Sequence, residues 1–158
     1  MNYFQSAGSF QLVVLVAFLI PAILFILTQH RTLEAIRPEN RRMSPGQVWL
    51  QMIPIFGLVW QFIVINKISD SIRDELNTPM GDSIFAEDTL PTNFRPTFST
   101  GASYAALFCI SIIPIPIIKG LAAWAGLILW IVYWVQLAQY KRKLKDRGMI
   151  LNNEYKSF

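Results

Sequence analysis

Three apolar runs dominate this 158-residue chain: Phe10 to Thr28, Gly46 to Asn66 and Gly101 to Tyr140, of 19, 21 and 40 residues. Each is too long and too uniformly apolar for an ordinary soluble core helix, and each is long enough to meet a hydrocarbon layer about 30 Å thick. The residues between them form a short head, two loops and a tail, none large enough to build a catalytic core of its own. Composition agrees, since 53% of residues are apolar and only 15% charged, against roughly 25% charged in soluble domains. The chain is therefore expected to be an all-α integral membrane protein forming a single membrane domain over residues 1–158.

The first run predicts a spanning helix over 10–28, with Pro21 tolerated inside it because neighbours in a membrane can satisfy a freed carbonyl. No basic segment precedes it and no small-residue cleavage site follows, so a spanning helix is preferred to a signal peptide. The third run predicts two spans, 101–118 and 121–140, separated near Ile113 to Gly120. The second run opens on Ser44, Pro45 and Gln47, an N-cap, a first-turn proline and a capping-box partner. Pro54 and Gly57 then interrupt 46–66 at its middle, so it either crosses or rises and returns as a re-entrant or interfacial hairpin.

Lysine and arginine placement separates these topologies. With a returning 46–66 the N-terminus lies outside, and thirteen bases fall on the cytoplasmic side against Lys119 alone outside. Four full spans give nine against five, so the positive-inside rule favours three spans plus a hairpin over the four-span alternative. The topology-setting bases are Arg31, Arg37, Arg41 and Arg42 after the first run and Lys141, Arg142, Lys143, Lys145 and Arg147 after the last. Because these bases flank apolar segments and form no stripe with interleaved aromatics, the charge of +4 does not indicate nucleic acid. Residues 67–100 predict an amphipathic surface helix, with Ile68, Ile72 and Leu76 on one face, followed by a loop.

The stretch RPENRRMSPGQVWLQMIPIFGLVWQFIVINKISDSI, with the later LILWIVYWVQLAQYKRKL, resembles a family of small bacterial multi-spanning membrane proteins of unknown function. In that family an MSPG-VWL-IP-G-VW-F pattern leads into an IS-SI helix. The resemblance implies a protein of the bacterial cytoplasmic (inner) membrane and brings no activity with it.

No nucleophile, phosphate-loop or dinucleotide motif is present, and His30, Glu34 and Glu39 lack metal-ligand spacing, so no catalytic, cofactor or metal site is expected. Asp70, Asp74 and Glu75 read as a solvated face with local ion pairs, and the five tryptophans as interfacial anchors. Cys109, the single cysteine, permits no intrachain disulfide. Gln51, Gln61 and Asn66 are candidate intramembrane polar contacts, and Gln136 and Gln139 lie near the end of the last run. Ala102 with Ala106, and Ala122 with Gly126, form small-xxx-small pairs that allow close helix approach, and each pair is expected to need a further neighbour. These features predict a non-enzymatic accessory or scaffolding subunit, with membrane lipids and other integral membrane subunits as partners. The alternative is an autonomous small solute- or lipid-binding or channel-forming protein lined by the amides.

Overall fold

The computed structural model describes residues 3–78, 90, 91 and 93–156. Among these the chain is all-helical: α1 (Tyr3–Glu34), a 3-10 turn (Pro38–Asn40), a 3-10 helix (Pro45–Met52), α2 (Phe56–Asn77), α3 (Phe98–Ile110) and α4 (Pro116–Lys156). Two stretches are long and apolar enough to cross a membrane, Val16–Glu34 in α1 and Pro116–Met149 in α4. Most of the loop expected before Thr100 lies outside the described residues.

The stretch 101–118 is not one helix. α3 ends at Ile110, so its 13 residues reach only about 20 Å. The turn Ser111 to Ile115 follows, because Pro114 lacks an N–H and disfavours helical backbone at Ile113. Pro116 then opens α4, where a fixed φ suits the first helical position. Gly120, expected within the break, is inside α4, and 121–140 is the interior of a 41-residue helix.

The segment 46–66 reverses direction at its middle. Gln47 accepts the Ser44 N–H through its side chain at 3.2 Å, completing one half of the expected capping box. The 3-10 helix stops at Ile53, held extended ahead of Pro54. Ile55 adopts φ 66, a rare conformation for a β-branched residue. The Phe56 N–H donates to Pro54 O and the Gly57 N–H to Ile53 O, both at 2.7 Å. A side chain at Gly57 would collide with the Gln51 carbonyl, so the close approach of the two arms requires glycine there. Trp60 closes the hairpin, its indole N–H donating to Gln47 O at 2.8 Å.

The expected surface helix proves to be part of the core. α2 runs through Asn66 without a break, and Ile68, Ile72 and Leu76 are buried with Leu33 of α1, Ile36 just beyond it, Val48 of the 3-10 helix, and Leu137 and Leu144 of α4. Full burial of such a side chain contributes about 1.5–3 kcal/mol, so three of them favour packing on the chain itself over lying free on a surface. Further along the bundle, Phe25 of α1 meets the rings of Tyr104, Trp130, Tyr133 and Trp134 edge-on, with centroids 5.2–6.2 Å away.

Candidate functional site

The hairpin, α1, α3 and α4 border a cavity of about 720 Å³, walled by Phe18, Ala22 and Phe25 of α1, Gln51, Pro54, Gly57 and Gln61 of the hairpin, Tyr104 and Phe108 of α3, and Ala123, Trp124 and Trp130 of α4. Its volume falls within the usual range for small-molecule pockets. The wall is largely apolar, and Gln51 and Gln61 are its two amide side chains.

Both amides are held by the protein. Gln51 Nε2 donates to Gln29 Oε1 at 2.5 Å and to Val48 O at 2.9 Å, and Gln61 Nε2 donates to Leu58 O in its own helix at 3.2 Å. Asn66 is elsewhere, its Oδ1 accepting from Arg95 Nη1 at 2.8 Å. The structure thus brings Gln51 and Gln61 together on one wall and takes Asn66 to the charged end. Gln136 is half-buried and Gln139 exposed.

Gln51 also leads to a buried polar seam that sequence reasoning missed. Gln29, Thr97, Tyr104 and Tyr133 are buried, with the Tyr133 hydroxyl beside Thr97 and Gln29, and among the described residues the Tyr104 hydroxyl has no hydrogen-bond partner. Beside them Trp134 Nε1 donates to Thr28 Oγ1 at 2.9 Å, which donates to Leu24 O at 2.8 Å. No sequence signal marks the seam, because each residue sits singly at the margin of an apolar run.

The small-residue pairs divide. Ala122 and Gly126 are buried, and a Cβ on Gly126 would come within 3.2 Å of Phe108 and 3.3 Å of Leu107. This pair is packed against α3 of the same chain, so its neighbour is internal. Ala106 is exposed and Ala102 half-buried.

Charged groups from three other stretches converge on α2 between Asn66 and Thr78. Glu75, 5% exposed, accepts from Arg37 Nε at 2.8 Å, the Arg37 backbone N–H at 3.2 Å and Asn40 Nδ2 at 2.7 Å. Arg42 pairs with Asp74 at 2.5 Å, while Arg73 and Arg95 lie 3.5 and 3.3 Å from Asp70. Arg147 donates to the carbonyls of Leu76 and Thr78 at 3.3 and 3.0 Å, satisfying the open end of α2. The acidic face thus binds across the fold as well as locally. Arg41 donates to Ile36 O and Glu34 O, and His30 contacts Pro45 O at 2.9 Å and Glu34 at 3.4 Å. Among the described residues no group of three or more His, Cys, Asp or Glu side chains is arranged to hold a metal ion.

Comparison with protein-family models, characterised proteins and solved structures finds no match to this chain.

Proposed function

We propose that the chain is a small, non-catalytic integral protein of the bacterial cytoplasmic membrane that seats one apolar chain, acyl or isoprenoid, in the cavity beyond its hairpin. We group it with the small bacterial membrane proteins that share its MSPG-VWL-IP-G-VW-F pattern. Charge segregation supports the membrane placement. Apart from Lys119, every charged residue lies between Arg31 and Arg95 or beyond Tyr140. From Lys119 to Lys141, α4 rises about 33 Å, and between them Leu121, Trp124, Ile128, Ile131 and Val135 are exposed. Only 28% and 22% of the most apolar windows of α1 and α4 are buried, where a soluble core helix would be mostly covered. In this placement α1, α3 with its turn, and α4 cross, the hairpin re-enters from the cytoplasmic side, the N-terminus is outside and the C-terminus cytoplasmic.

The observation that carries the function is the apolar cavity with its two amides. An apolar cavity of this size suits a single flexible chain, with the two amides placed to meet its polar end. One motive for an accessory-subunit reading also weakens, since Gly126 finds its mate on α3. The exposed Ala106 beside Ala102 still favours that second reading, as a face for a partner's helix.

Labelling with a phospholipid carrying a photoreactive acyl chain tests the choice. Crosslinks should concentrate on the cavity wall, at Phe18 and Trp124, and Ala123→Phe, which fills the space, should lower them at least tenfold while folded protein persists. Crosslinks spread evenly over the exposed apolar belt would contradict the binding reading. Unrelated chains co-purifying at fixed stoichiometry and released by Ala106→Leu would favour the subunit.

A further inference from the structure

A second cleft, of about 600 Å³, lies between the end of α1 and α4, with Arg31, Glu34, Lys141, Leu144, Lys145 and Gly148 among its walls. Three of these side chains are cations. Lys141 and Lys145, one helical turn apart, share a face of α4, and Arg31 lies opposite on α1. None of the three has a carboxylate partner among the described residues, whereas Arg37, Arg42, Arg73 and Arg95 all do. Glu34, the acidic group in the cleft, is directed to His30 at 3.4 Å. The buried Leu144 lies on α4 between the two lysines, and a Cβ added at Gly148 meets nothing within 4 Å, so the cleft is open on its Gly148 side.

The cleft also lies at a particular depth. Arg31 comes three residues after the first apolar run ends at Thr28, and Lys141 follows directly on Tyr140, where the last run ends. Both walls therefore change from apolar to basic at the same level, which in a bilayer is the level of the lipid phosphates.

We infer that this cleft binds the phosphate of an anionic phospholipid from the cytoplasmic leaflet, with Arg31, Lys141 and Lys145 as donors. Three like charges around one space repel one another until an anion enters, and basic pockets between membrane helices on the cytoplasmic side are suited to anionic headgroups. The inference rests on the membrane placement above and is independent of the apolar cavity.

The test uses the full-length protein in mild detergent, titrated with phosphatidylglycerol, phosphatidylcholine or inorganic phosphate and read by native mass spectrometry. Phosphatidylglycerol should bind at least tenfold more tightly than phosphatidylcholine, since each base near an anionic headgroup contributes about a fivefold factor and three converge here. Arg31→Gln with Lys145→Gln should erase that preference, whereas Lys119→Gln with Arg142→Gln, which removes as much charge outside the cleft, should keep it. Equal binding of the two lipids, or equal loss in both double variants, would overturn the site. Displacement of phosphatidylglycerol by millimolar inorganic phosphate would overturn its assignment to a lipid. Carbonate extraction of the same cells separates the two levels: release of the wild-type protein refutes the membrane placement, while lost lipid preference with membrane retention refutes the cleft alone.

Discussion

Gly101→Leu should leave almost no folded protein, with the detergent-solubilised chain running as aggregate on size exclusion. A bare Cβ at position 101 would already lie 2.6 Å from Ile65 Cγ2 and 2.9 Å from Tyr133 Cε2, and both of those residues are fully buried. The contact joins α2, α3 and α4, and Phe25 of α1 packs on Tyr133 with ring centroids 5.8 Å apart, so no wall of the site is free to retreat. Removing glycine from a helix gains up to about 1 kcal/mol in propensity. Overpacking a tight core costs about 1–3 kcal/mol for small additions and more for larger ones. Leucine adds three carbons beyond that Cβ, and its net cost of about 3 kcal/mol or more is a large share of the roughly 5–15 kcal/mol that holds a typical protein folded. Gly101→Ala should fall between, at about 1–2 kcal/mol. Wild-type yield and melting behaviour for Gly101→Leu would show that the three helices do not meet there.

Glu75→Ala should be the next most damaging change. The carboxylate accepts three hydrogen bonds from Arg37 and Asn40 and holds the segment after α1 onto α2. Its loss leaves the Arg37 guanidinium and the Asn40 amide short of an acceptor. Breaking a buried ion pair by removing one partner costs about 3–5 kcal/mol, but the Arg37 side chain is 32% exposed and recovers part of that from water. A loss of about 2–3 kcal/mol results, measurable as a lower thermal midpoint in detergent. Glu75→Gln retains an acceptor oxygen and should cost about half as much, whereas Glu39→Ala, at a side chain 62% exposed and 3.7 Å from Arg37, should change the midpoint little. Equal midpoints for all three variants would contradict the clamp.

Neither of these two sites is announced by the sequence, although much of the fold around them is. The hairpin was legible because Ser44, Pro45, Gln47, Pro54 and Gly57 act locally: caps, a missing N–H and a side-chain-free position constrain the backbone wherever the rest of the chain goes. Helical class and the long apolar stretches in α1 and α4 were legible for a similar reason, since length and composition suffice. The stripe Ile68, Ile72 and Leu76 was equally visible, but a stripe states that a face will be covered and not by what, and the chain covers it itself. Ala122 and Gly126 carry the same ambiguity. Gly101, Glu75 and the seam of Gln29, Thr97, Tyr104 and Tyr133 were not legible, because their environment is assembled from residues tens of positions apart.

Accessibility at the two ends of the hairpin tests the account most directly. With Cys109 replaced by alanine, Ser44→Cys and Asn93→Cys flank the segment 46–66 and α2, both at exposed positions, and Lys119→Cys marks the opposite end of α4. A membrane-impermeant thiol reagent applied to intact cells should label Lys119→Cys alone, with Ser44→Cys and Asn93→Cys reacting only after the membrane is opened. Labelling of Ser44→Cys and Asn93→Cys from opposite faces would show that 46–66 crosses the bilayer, and would contradict the re-entrant hairpin and the cavity that depends on it.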